Sequence, residues 1–288
     1  MGTWSSNRRM QLKVMVRCAV PAIALALAAC SSEAEPRDMP DAGMPRVVSL
    51  NPCIDAVLVE VAEPGQILAL SHYSRDPASS SIAPETAARF AVTGGTVEEV
   101  LSLEPDMVLA GSFMAPSTWQ ALSDLGVNVV TFGIASTPEA SFAQLRAIAT
   151  LLQREDRGEA LIARIEAALS ASAAPEGAVP LSAVLWQPGQ IVPGEATLVS
   201  ALMQQAGFTS HSSARGLGQA DYLTLEAMLA DAPDVLLVAG DAPAQRHPVL
   251  ERLQGTRIEA FDPALIYCGG PTMIRASQRL AEIRKQAA

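Results

Sequence analysis

The sequence predicts an α/β protein of two similar lobes, each built on its own mostly parallel sheet, joined by a long helix, with a crevice between the lobes. Three observations carry this reading. Short apolar runs alternate with longer stretches of helical period through most of the 288 residues, the pattern of parallel strands covered on both faces by helices. A helix, turn and strand occur twice, as TVEEVLSLEPDMVLAG from Thr96 and TLEAMLADAPDVLLVAG from Thr224, aligned without a gap 128 residues apart. Between the copies the alternation gives way to two consecutive helical stretches, the second long enough to pass from one lobe to the other.

The chain opens with Arg8, Arg9, Lys13 and Arg17 ahead of the uncharged run AVPAIALALAAC. That run is too short for a membrane span, which needs about 20 apolar residues, and has the order of a secretory leader. Leu27-Ala28-Ala29-Cys30 resembles the lipobox of bacterial lipoproteins, which implies residues 1–29 as signal peptide and acylation of Cys30. The segment 30–45, polar and rich in proline and acid, then reads as a tether. Asn7 to Lys13 also resembles a weakened twin-arginine motif.

Removal of the leader takes away four basic residues and no acidic ones. It leaves 16 Lys+Arg against 30 Asp+Glu, a formal charge of −14. Such acidity excludes the clustered cations that a phosphate backbone requires, so no nucleic-acid partner is expected.

The first lobe, 46–136, is read as the strand RVVSL, a helix near Asp55 to Val61 and a strand at Ile67 to Leu70. The first repeat copy, a helix at Ser117 to Leu125 and the strand VNVVTF follow. Thr137-Pro138, an N-cap followed by proline at the first helical position, starts the linking region 137–174. Its second helix, Glu155 to Ser172, places Leu161, Ile165 and Leu169 on one face and would be roughly 27 Å long at 1.5 Å per residue. The second lobe, 175–288, has SAVLW, a helix at Ala196 to Ala206, the second repeat copy, a helix near Pro248, RIEAF, the loop DPALIYCGGP and a closing helix.

Open parallel sheets bind ligands beyond the carboxyl ends of their strands, which in two facing lobes is the crevice. The loops LNPCID and YCGGP fall there, one from each lobe. Cys53 and Cys268 on these loops allow three states: two buried thiols, a disulfide between lobes, or soft ligands to a metal chelate. His72, Tyr73, Trp186 and Tyr267 are further candidates for pocket contacts, with core packing the alternative for Trp186 and Tyr267. Glu98 and Glu226 occupy the same place in the two repeat copies. A helix-dipole role would explain each; a matched pair of charges presented to a symmetric partner would explain both.

No G-x-S-x-G elbow and no H-E-x-x-H pair is present, so neither of those hydrolase chemistries is expected. No enzyme activity and no prosthetic group are predicted.

The segments RVVSLNPCIDAVLVEVA and ILALSHYSRDP, the LEPD repeat, the linking helix, PGEATLVSALMQQAGF and the CGGP helix together resemble the helical-backbone periplasmic binding proteins of ABC importers. The resemblance extends from Arg46 to the C-terminus. It implies a rigid interlobe helix, a monomer in the periplasm held to a membrane by Cys30, and a metal chelate between the lobes. It also implies docking of Glu98 and Glu226 onto the arginines of a permease dimer. Tyr73 matches a ligand-contacting tyrosine of the family's cobalamin binders, so a corrinoid is the first expected cargo, with a ferric siderophore or haem as alternatives. The tryptophans usual in that cleft appear here as Val92, Gly111 and Ala220, while Trp119, Trp186 and Tyr222 offer aromatic area from other positions. A structural outer-membrane lipoprotein is the alternative of another class, and it leaves the paired glutamates unexplained.

Overall fold

Residues 43–287 are described by a computed structural model; the leader and Cys30, on which the export and lipidation expectations rest, lie outside the described residues. The first lobe runs β1 (Val47–Ser49), α1 (Pro52–Val61), β2 (Ile67–Ser71), α2 (Pro84–Ala87), β3 (Val92–Thr93), α3 (Val97–Ser102), β4 (Met107–Gly111), α4 (Pro116–Asp124) and β5 (Val129–Phe132). Its five strands are all parallel, in the order β3-β2-β1-β4-β5. The central strands carry Val47, Val48, Val108 and Leu109 with no exposed surface, as parallel strands covered on both faces must.

Two helices follow, α5 (Pro138–Leu151) and α6 (Glu155–Ser172). Thr137 caps α5 by accepting from the Ala140 N–H at 3.1 Å. The helices cross closely because residue 158 is glycine: a β-carbon there would stand 2.6 Å from that of Ala149. Leu161, Ile162, Ile165 and Leu169 are the buried stripe of α6. This helix packs on α1 and α5 and on the C-terminal helix of the second lobe, so its apolar face is used by both lobes.

The second lobe comprises β6 (Leu181–Trp186), β7 (Ile191–Val192), α7 (Leu198–Gln205), β8 (Phe208–Ser210), β9 (Asp221–Tyr222), α8 (Leu225–Ala230), β10 (Val235–Val238), β11 (Arg257–Ala260) and α9 (Thr272–Ala287). Its sheet is parallel, ordered β11-β10-β6-β8. Matching β4 to β10 through the sequence repeat makes this order the counterpart of β5-β4-β1-β2. The counterpart of β3 is β9, which leaves the sheet and pairs antiparallel with β7.

The repeat is reproduced down to its hydrogen bonds. Thr96 and Thr224 accept from the N–H groups of Glu99 and Ala227 at 3.3 and 3.2 Å. Asp106 Oδ2 accepts from the Arg46 N–H, and Asp234 Oδ2 from the Ser182 N–H, each at 2.7 Å. The aspartate of each copy therefore ties its own strand to the first strand of its lobe.

Candidate functional site

In the first sheet the connections diverge on either side of β1 and β4, toward β2 and β3 on one side and β5 on the other. That arrangement leaves a crevice beyond their carboxyl ends. Asn51 and Gly111 form its floor. Asn51 Oδ1 accepts from the N–H groups of Cys53 and Ile54 at 2.9 and 3.2 Å, capping α1 and starting it earlier than the periodicity predicts. Its Nδ2 lies 2.6 Å from where a β-carbon on residue 111 would stand, so glycine is what lets the cap fit.

Two hollows share Asn51, Gly111 and Phe113. The larger, about 440 Å³, runs toward His72, Tyr73, Gly94 and Thr118. The smaller, about 100 Å³, runs toward Ile134, Gln144, Tyr267 and Gly270. Their rims expose Phe113 (82%), Ile134 (66%), Tyr267 (59%) and Tyr73 (47%), a concentration of apolar and aromatic surface of the kind that marks a binding groove.

His72 and Tyr73 lie in a tight 3₁₀ turn, His72–Arg75, at the end of β2. Their rings lie against each other, tilted by 34° with centroids 4.0 Å apart. Underneath, Asp55 of α1 has no exposed surface. Its Oδ2 accepts from the Ser71 N–H at 3.0 Å and from the Ser71 and Ser74 hydroxyls at 2.6 Å each. Burial pushes this carboxyl up to about 6, against the serine hydrogen bonds that favour its charged form. Beside this turn, where Thr93 of β3 pairs in register with Ser71, Glu99 accepts from Thr93 Oγ1 at 2.7 Å and the Gly94 N–H at 2.6 Å. Those bonds, the Thr93 one first, hold its carboxyl below the usual range.

The second-lobe residues that line these two hollows, Tyr267, Gly269 and Gly270, all belong to the segment before α9. Tyr267 donates its hydroxyl to Gln187 Oε1 at 3.4 Å, and the Gly270 N–H donates to the buried Ser141 Oγ of α5 at 2.7 Å. Cys53 and Cys268 are joined in a disulfide with their α-carbons 5.0 Å apart. Of the three states open to them this is the interlobe bond; sulfurs bonded to each other are not free soft ligands. Trp186 belongs to the core and not to the pocket. It is fully enclosed, and its Nε1 donates to the Leu223 carbonyl at 2.9 Å. The corresponding crevice of the second sheet is closed by Gln245, whose Nε2 donates to the carbonyls of Trp186 and Ala239 at 2.8 and 3.0 Å. Among the described residues no cluster of three or more His, Cys, Asp or Glu is arranged to hold a metal ion.

The family model for periplasmic binding proteins matches residues 47–264. The chain is a periplasmic binding protein. Its family delivers solutes to ABC importers, and its fold is shared with solved structures at low identity. The periplasmic heme-binding protein RhuT from Roseiflexus sp. RS-1 superposes with a TM-score of 0.70 at 24% identity, covering 85% of this chain and 99% of that one. BhuT, a periplasmic heme-binding protein solved with two hemes, gives 0.68 and 24%, covering 85% and 99%. The vitamin B12 binding protein BtuF of Vibrio cholerae gives 0.64 and 16%, covering 85% and 98%. A search of curated protein sequences returns no match.

In this binding protein Glu98 and Glu226 are both exposed near the starts of α3 and α8. Neither side chain has a salt-bridge or hydrogen-bond partner among the described residues, unlike the Thr and Asp of the same repeat. Sequence reasoning overlooked Asp55, Phe113 and Ile134. The last two stand just past β4 and β5, where a strand's carboxyl end alone could have flagged them.

Proposed function

We propose that this binding protein captures a metal tetrapyrrole, ferric haem, and hands it to an ABC permease while anchored to the membrane through acylated Cys30. The observation that carries the cargo is the pair of exposed phenols, Tyr73 from the first lobe and Tyr267 from the second, lining two adjoining hollows that share Asn51, Gly111 and Phe113, with the His72 ring against Tyr73. A planar macrocycle asks for a flat apolar slot, which Phe113 and Ile134 supply. A ferric ion with open axial positions takes a tyrosine oxygen or a histidine nitrogen. RhuT and BhuT, both periplasmic heme-binding proteins, support this cargo for a chain of the same fold.

A corrinoid relies on aromatic area, and two positions where its binders carry tryptophan resist one here. At Gly111 the first side-chain carbon would meet Asn51; Ala220 already sits at a φ of 62°, strained for any larger side chain. Delivery rests on Glu98 and Glu226, two carboxylates at equivalent places in the two lobes and without a task inside the fold. Each would meet a basic group of the permease dimer.

The test is a titration of the exported chain carrying Cys30→Ser with haemin and, separately, with cyanocobalamin. We expect a shifted Soret band and a phenolate-to-iron charge-transfer band with haemin, the latter lost in Tyr73→Phe. Saturable binding of cyanocobalamin alone would replace the cargo and keep the importer; binding of neither would leave the crevice without a tetrapyrrole role.

A further inference from the structure

Asp55 is the one fully buried acid among the described residues, and the binding reading does not use it. Its neighbours on α1, Ile54, Ala56, Val57 and Leu58, fill the core with apolar side chains. A buried carboxylate in such company is costly unless it is satisfied. Asp55 is satisfied on one side only: Oδ2 takes three hydrogen bonds, while Oδ1 is enclosed without a partner among the described residues.

All three bonds go to Ser71 and Ser74, and those residues bracket His72 and Tyr73 on the chain. The inner residues of the turn, Ser71 and Ser74, are 2% exposed, whereas the two residues between them turn outward into the larger hollow. A single carboxylate oxygen thus pins both ends of the segment that presents the phenol and the imidazole. It does so from α1, whose first turn also carries the Asn51 cap at the crevice floor and the cystine to the second lobe.

We infer that Asp55 is a positioning residue of the binding site, fixing the Ser71–Ser74 turn and with it the direction in which His72 and Tyr73 enter the crevice. The inference rests on the reading of the crevice as the ligand site, and it makes a claim about the turn that can be read without any ligand. A hydrophobic replacement would leave two hydroxyls and one amide unpaired beneath the turn. Asparagine would keep an accepting oxygen at the same place.

The experiment compares the exported Cys30→Ser chain with its Asp55→Ala, Asp55→Asn and Ser74→Ala derivatives. Amide hydrogen exchange is followed along the chain, and haemin is titrated into each. With three bonds lost, Asp55→Ala should raise exchange at residues 71–75 by about tenfold or more, with second-lobe amides unchanged. It should also displace the charge-transfer band of the haemin complex. Asp55→Asn should return both readouts close to the parent. Ser74→Ala, which removes one bond and leaves the carboxyl, should give a smaller rise confined to the same residues, and it decides the matter if Asp55→Ala does not fold. Unchanged exchange at 71–75, or a rise spread evenly over the first lobe, would overturn the inference. If the parent ignores haemin while the turn loosens in the alanine variants, the cargo falls and the positioning role stands.

Discussion

A carboxyl enclosed as fully as that of Asp55 holds its proton more tightly in the folded chain than in the unfolded one. Its value rises from 3.8 to about 6, so its contribution to stability is full below 3.8 and is lost as the pH climbs through 6. The loss amounts to about 3 kcal/mol at neutral pH. Asp55→Asn cannot titrate, so the stability of the variant relative to the parent should improve by about that amount between pH 4 and pH 7. Urea unfolding at the two pH values measures it, and a difference that does not move with pH would show that the carboxyl is not enclosed as described. Glu99 obeys the opposite sign. Its hydrogen bonds to Thr93 and Gly94 favour the charged form, so whatever they contribute is present at neutral pH and weakens on acidification.

Within the repeated helix, turn and strand, the Thr and Asp side chains bond the fold, whereas the two glutamates have no partner among the described residues. Thr96 and Thr224 cap helices, and Asp106 and Asp234 each accept a 2.7 Å bond from the backbone of a neighbouring strand. Asp106→Ala or Asp234→Ala should therefore lower stability by about 1.5–3 kcal/mol, the range for hydrogen bonds to charged groups, and leave haemin affinity alone. Glu98→Ala with Glu226→Ala should do neither; we expect unchanged unfolding and unchanged haemin titration, with binding to permease reconstituted in vesicles much weakened. Undiminished permease binding would assign both glutamates to the helix dipole alone. Helices α5 and α6 were legible because their period runs for 14 and 18 residues and because Thr137-Pro138 announces a start. Strands β3, β7 and β9 have two residues each, too few to show alternation, and they exist only through their partners. Trp186 misled for a related reason. It ends a central strand, where a crevice is expected, and what seals that crevice is Gln245, 59 positions away. Tyr73, Tyr267 and the repeat glutamates are singled out by the sequence and lie exposed in the structure, whereas Asp55 is not: its hydrogen bonds depend on Ser71 and Ser74 folding back over α1.

At the scale of the whole binding protein, the two walls of the crevice are tied at several points. Helix α6 packs on helices of both lobes. Ser141 accepts from Gly270, and Thr272 donates to Ser81 at 2.8 Å. The Cys53–Cys268 bond closes a stretch of 215 residues, between α1 at the crevice floor and the residue next to Tyr267. Closing so long a loop removes much of the freedom of the unfolded chain, roughly 5 kcal/mol by the chain-entropy relation. The double substitution Cys53→Ser and Cys268→Ser should accordingly lower the urea-unfolding free energy by about 2–5 kcal/mol, the range usual for loss of a native bridge. The functional consequence is directional. Tyr73 is held by Asp55 within the first lobe and should keep its place, while Tyr267 loses the covalent tie beside it and retains the weaker bonds of Gln187 and Gly270. Haemin should then still show the Tyr73 charge-transfer band but dissociate faster, and treatment of the parent with a dithiol reductant should reproduce that change. A loss of stability without any change in haemin dissociation would mean that the hydrogen bonds around Ser141 and Ser81 suffice to hold the second wall, and that the cystine serves the fold alone.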